Sequence, residues 1–164
     1  MNQLVDAENF RSCLNKNETT FVYTDGACRG NPGPGGWGAI LHQGEIFTEL
    51  FGGEEQTTNN RMELFAAIAS LEFMPEGSTL IIATDSQYLQ NGVVQWMPKW
   101  KKNGWKTANN VPVKNQDLWL KIDTLCNKRV VSWTWIKGHT GNIHNERADI
   151  IAKQAIARLI MSGD

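Results

Sequence analysis

The sequence predicts an α/β protein: a five-stranded mixed sheet with helices on both faces, in the order βββαβααβα. Three observations predict it. Three strand-like segments follow one another between Thr20 and Phe51, separated by turn residues. Helical and strand periodicities then alternate, which calls for crossover connections. Finally, Phe21-Val22-Tyr23-Thr24-Asp25 and Ile81-Ile82-Ala83-Thr84-Asp85 each end an apolar strand in Thr-Asp.

Residues 1–19 show no clear period, although Leu4, Val5, Phe10 and Leu14 suit a short amphipathic turn. They read as a leading arm of unknown role, with residues 20–164 as one domain. From Thr20 the segment Phe21 to Asp25 is strand-like, a Gly/Pro loop follows, and Trp37 to His42 and Ile46 to Phe51 form a hairpin about Gln43-Gly44. A helix is predicted from about Asn60, because Met62, Phe65, Ala66, Ala69 and Phe73 share one face; Pro75 and Gly77 end it. Leu80 to Ala83 suits a buried strand. Ser86 to Lys102 reads as helical with breaks near Gly92 and Pro98, Gln116 to Asn127 as a helix, Val130 to Ile136 as a strand and His144 to Met161 as a final helix.

With 164 residues, 41% hydrophobic and 20% charged, the chain has room for one core and the composition of a globular protein rather than a disordered or repetitive one. No apolar run is long enough to cross a bilayer, and the N-terminus lacks the order of a secretory signal, so a soluble, cytoplasmic protein with no membrane partner is expected. Cys13, Cys28 and Cys126 are odd in number and far apart, and read as reduced thiols.

The net charge of -1 conceals a division. The stretch from Trp96 to Gln116 contains Lys99, Lys101, Lys102, Lys106 and Lys114 and no acid, giving +5 there and -6 elsewhere. Trp96, Trp100 and Trp105 are interleaved with these lysines, as suits a surface that grips phosphates and covers sugars or bases. The same pattern also suits a solvated lysine face whose tryptophans anchor a helix in the core.

If the two Thr-Asp strands are parallel neighbours, their carboxylates meet beyond the carboxyl ends of the sheet, where such sheets bind ligands and where paired hard oxygens suit Mg²⁺. Each acid also has a structural alternative. Asp25-Gly26 suits a turn, Asp85 a helix N-cap, Glu63 a capping box begun by Asn60, and Asp149 an i,i+4 pair with Lys153. Spacing alone does not single these four out among 17 acids. Gly33-Pro34-Gly35-Gly36-Trp37-Gly38 fits GxGxxG but precedes a strand, not a helix, so it is read as a turn whose glycines supply unusual backbone angles. His139 lies in a polar glycine loop with no core to fill, which favours chemistry, while a zinc site has no recognisable ligand spacing.

Five segments in one order resemble bacterial type 1 ribonuclease H: Thr24-Asp25-Gly26-Ala27-Cys28 with Gly30-Asn31-Pro32-Gly33; Thr58-Asn59-Asn60-Arg61-Met62-Glu63-Leu64; Thr84-Asp85-Ser86-Gln87-Tyr88; Gly138-His139-Thr140-Gly141; and Asn145-Glu146-Arg147-Ala148-Asp149. The resemblance implies a ribonuclease H-like fold and metal-dependent hydrolysis of the RNA strand of RNA/DNA hybrids, leaving 5'-phosphate and 3'-hydroxyl ends. It makes Asp25, Glu63, Asp85 and Asp149 the metal-binding carboxylates and His139 an accessory in proton transfer or product departure. Two Mg²⁺ would balance the four acids, one activating water and one stabilising the leaving oxygen, with Mn²⁺ as a substitute. Cys28, Asn31, Thr58, Asn59, Asn60 and Gln87 match the family's hybrid-binding positions, where 2'-hydroxyls are read. Trp96, Trp100, Lys101, Lys102 and Lys106 match its basic protrusion, which implies sequence-tolerant, salt-sensitive binding; an extended nucleic acid can be handled by one copy, so a monomer is expected. A binding module without catalysis would gain nothing from clustered anions, and a DNA nuclease of related fold would not need readers of the 2'-hydroxyl.

Overall fold

In the computed structural model, which describes residues 2–138 and 141–162, the sheet has six strands, not the expected five. The extra strand is β1 (Gln3–Leu4), which pairs in parallel with Ile46 and Phe47 of β4 (Ile46–Thr57). Two residues are too few to show a period of two, so no sequence pattern announces this strand. Backbone bonds from Gln3 N to Glu45 O (2.7 Å) and from Val5 N to Phe47 O (2.9 Å) hold it. Helix α1 (Ala7–Ser12) follows, capped by Asp6, whose Oδ1 accepts from Asn9 N at 2.8 Å. It buries Phe10 completely against Phe73.

β2 (Thr20–Cys28), β3 (Gly33–Gln43) and β4 form the antiparallel meander. Gln43 pairs with Ile46, so the hairpin loop is Gly44-Glu45, one residue later than the sequence suggests. Gln43 stays in the ladder because its side chain is buried and bonds Asn15, Glu18 and Thr20. β5 (Thr79–Thr84) adds parallel to β2, and β6 (Val130–Trp135) parallel to β5, giving the order β1-β4-β3-β2-β5-β6.

Alternation along β3 divides the core. Ala39 and Leu41 pack with Val22, Leu64, Ile68, Leu80, Ile82, Trp119 and Ile122, under α2 (Asn59–Phe73) and α5 (Gln116–Asn127). Ile40 joins Ala148 and Ile151 of α6 (Ile143–Ser162) on the other face. Gly36 and Gly38 in β3 are extended, not turn-forming; a Cβ there would lie 2.3 Å from Ala152 O and 2.7 Å from Ala148 O. Their missing side chains let α6 lie close on the sheet, which corrects the expectation that these glycines provide unusual angles.

Between β5 and α5, α3 (Gln87–Asn91) runs through a π-helical turn (Gly92–Trp96) into α4 (Met97–Lys102). The expected break near Gly92 is this wide turn, and Pro98 falls in the first turn of α4, where proline is tolerated.

Candidate active site

Thr24 of β2 and Thr84 of β5 face each other in the parallel register, so Asp25 and Asp85 leave the same end of adjacent strands. Asp25 is still within β2 and 5% exposed, which rules out a turn role; Asp85 is half-buried. Ser86, not Asp85, caps α3, its hydroxyl accepting from Leu89 N at 3.1 Å.

Glu63 arrives from α2. Thr58 caps this helix by accepting from Arg61 N at 3.2 Å, so Glu63 is no capping-box partner of Asn60 and instead points into the site, 4% exposed. Its approach depends on Gly26, where a Cβ would lie 2.4 Å from Glu63 N and 2.5 Å from Met62 C. Single oxygens of Asp25, Glu63 and Asp85 lie within 4.8 Å of one another. Asp149 enters from α6 on the opposite face and shares a side-chain hydrogen bond with Asp25. It also takes the alternative read in the sequence, since Lys153 Nζ lies 3.0 Å from its Oδ2.

Burial, then the charges of Glu63 and Asp85, push the Asp25 carboxyl far above the ordinary aspartate range. Burial and the Asp85 charge raise Glu63 as well, against the opposing pull of bonds from Gly26 and Asp25. Glu63 Oε2 is fully buried with no hydrogen-bond partner, a state that costs energy unless something fills the coordination of that oxygen. Clustered carboxylate oxygens with one orphaned are a donor set for a hard divalent cation.

The expected substrate positions Cys28, Asn31, Thr58, Asn59, Asn60 and Gln87 lie on or beside β2, α2 and α3, the first two of which carry Asp25 and Glu63. Cys28 ends β2, with Sγ 3.5 Å from Gly33 O and 3.4 Å from Thr57 O. The exposed Asn31 accepts from Asn59 N at 2.9 Å, tying the β2–β3 loop to the start of α2 beside Thr58 and Asn60. Gln87 is exposed at the start of α3. His139 and Thr140 lie outside the described residues. The loop leading to them passes over Asp85, since a Cβ on Gly138 would lie 3.0 Å from Asp85 Oδ2.

Trp96 and Trp100 are half-buried in an aromatic row that includes Tyr88, Trp105 and Trp119. Lys102 and Lys106 are exposed, whereas Lys101 pairs with Asp123. Sequence reasoning gave no role to Arg61, which binds both oxygens of Asp117 (3.1 and 2.9 Å) and Asn115 Oδ1 (3.2 Å), joining α2 to the start of α5. Asn115 and Trp119 both donate to Tyr88 Oη. Asn145, which has no role in the sequence reading, is 3% exposed and stands one turn before Asp149, the spacing that marks a shared helix face.

Comparison with known proteins agrees with this geometry. The family model described as RNase H matches residues 17–157. "Ribonuclease HI" of Neisseria meningitidis serogroup B is 56% identical over 142 residues, covering 87% of this chain and 98% of that protein. Among solved structures, LC9-RNase H1, described as a type 1 RNase H with the type 2 active-site motif, is 29% identical with a TM-score of 0.78, over 86% of this chain and 73% of the other. LC11-RNase H1, solved in complex with RNA/DNA hybrid, shares the fold at 23% identity and a TM-score of 0.66, over 86% of this chain and 99% of the other. With the matched segment spanning every strand of the meander, β5, β6 and all four acids, the chain belongs to the ribonuclease H family.

Proposed function

We propose that this protein hydrolyses the RNA strand of RNA/DNA hybrids at the carboxylate cluster, with Asp25, Glu63, Asp85 and Asp149 as ligands for two Mg²⁺ ions. The observation that carries this reading is the convergence of Asp25, Glu63 and Asp85 oxygens within 4.8 Å around an orphaned buried oxygen of Glu63. Bound Mg²⁺ supplies a lowered pKa for coordinated water and neutralises charge on the phosphoryl oxygens. The chain's own part is to fix the acids from both faces of the sheet and to hold the hybrid in one register.

Asn31, Asn59, Asn60 and Gln87 offer amides that both donate and accept, which suits 2'-hydroxyls along a shallow groove, and Cys28 and Thr58 belong to the same set of positions. Trp96, Trp100, Lys101, Lys102 and Lys106 hold the partner strand through stacking and phosphate contacts that do not read sequence. His139 assists proton transfer or product departure. The protein works as a cytoplasmic monomer. Among the described residues no helix is long and apolar enough to cross a membrane.

The test is cleavage of end-labelled hybrid, duplex DNA and duplex RNA by purified protein, with Mg²⁺, with Mn²⁺ and with chelator. The expected result is cutting confined to the RNA of the hybrid and dependent on added ion. Cutting in the presence of chelator, or equal cutting of all three duplexes, contradicts the reading.

A further inference from the structure

We infer that Lys153 is a positioning residue that competes with metal for Asp149, and so sets how tightly the site holds the ion using that carboxylate. This rests on the four acids being metal ligands. α6 places the two side chains one turn apart, with Nζ 3.0 Å from Oδ2. The lysine is 66% exposed and the aspartate 27%, so the ammonium approaches the cluster from the solvent side.

Asp149, besides its bond to Asp25, has a cationic partner. An ammonium 3.0 Å from Oδ2 offsets the charge of this carboxylate while no cation is bound. An incoming cation that takes this oxygen must displace the ammonium, and the displaced charge, tethered one helical turn away, still repels the cation. An exposed pair of this spacing is weak, so the ion wins easily and the competition is severalfold, not prohibitive. Salt screens the ammonium more than it screens the buried acids. The signature of competition is therefore a salt-dependent change in metal affinity, which a purely structural role for Lys153 would not produce.

The experiment measures Mn²⁺ binding without nucleic acid, from the electron paramagnetic resonance of the free aqueous ion, for wild type, Lys153→Met and Lys153→Arg. Met matches Lys in helix propensity, and circular dichroism confirms that each variant is folded. At low ionic strength Lys153→Met should bind Mn²⁺ about two- to fivefold more tightly than wild type, Lys153→Arg should stay close to wild type, and the gap should narrow at high salt. Equal affinities of wild type and Lys153→Met at low salt, or weaker binding by Lys153→Met, would overturn the inference while leaving the metal site intact. Absence of Mn²⁺ binding in wild type would overturn both the inference and the metal-site reading.

Discussion

Asp25 and Asp85 are brought side by side by one register, the pairing of Thr24 with Thr84 across parallel β2 and β5. Neither carboxylate caps a helix or closes a turn, so neither has a structural task that would survive removal of its charge. Asp25→Asn and Asp85→Asn keep shape and volume, and each should reduce hybrid cleavage by at least about a hundredfold, the scale expected for losing a preorganised charge at a reacting centre. Single-turnover cleavage together with binding of uncut hybrid checks this. Near-normal turnover by either variant would contradict the assignment.

Raised proton affinity makes Asp25 and Glu63 a source of pH-dependent stability in the metal-free protein. Their folded values lie above the ordinary 3.8 and 4.5, so between those values and the raised ones the folded state binds more protons than the unfolded. Stability from these groups is therefore present at low pH and lost as pH rises through their folded values. Asp25→Asn removes the most strongly affected group. Thermal midpoints in chelator should fall between about pH 5 and pH 9 for wild type, with a smaller fall for Asp25→Asn and a higher midpoint at alkaline pH. Added Mg²⁺ should restore wild type more than the variant.

Gly26 makes a separate prediction because the atoms a Cβ would meet are backbone, Glu63 N and Met62 C, and cannot swing aside. Gly26→Ala should push the start of α2 off β2 and carry Glu63 with it. A loss of about 1–3 kcal/mol is expected, the range for overpacking, with a fall in cleavage beyond what the lost stability explains. Urea unfolding and cleavage assays at a temperature where the variant is folded separate the two effects.

The same residues show why some of the structure is legible in sequence and some is not. The Thr-Asp repeat encodes the meeting of Asp25 and Asp85, because each follows the last parallel pair of β2 and β5, Thr24 with Thr84, and is placed by that register. Glu63 is less legible, since its entry depends on a glycine in another element. Gly36 and Gly38 look like turn residues to any local reading; only the tertiary contact with α6 explains them. β1 is invisible for a different reason: its two residues are held by backbone bonds, which carry no side-chain signature.

The segment before β2 sends one fully buried aromatic side chain into the core. Phe10 is fully buried against Phe73, and Arg11 lies over the Phe73 ring at 4.2 Å while bonding Phe73 O at 3.1 Å. Phe10→Ala should destabilise the protein by about 3–5 kcal/mol, the cost of emptying a buried aromatic site. This contact lies at the C-terminal end of α2, away from the turn that carries Glu63, so cleavage by the folded variant should stay within a few-fold of wild type. Denaturant unfolding and cleavage at low temperature check both halves.

The lysines of the basic segment are not equivalent, and salt dependence should show it. Lys102 and Lys106 are exposed, whereas the Lys101 ammonium already pairs with Asp123. A lysine that neutralises a phosphate releases counterions, contributing about 0.9 to the slope of log affinity against log salt on B-form DNA, with a similar value expected on a hybrid. Lys102→Ala and Lys106→Ala should each flatten that slope by nearly this amount, measured by anisotropy of a labelled hybrid in chelator. Lys101→Ala should flatten it less, because binding phosphate there first requires breaking the Asp123 pair. Were Lys101→Ala to change the slope as much as the other two, its ammonium would have to leave Asp123 in the complex, and Asp123→Asn should then tighten hybrid binding.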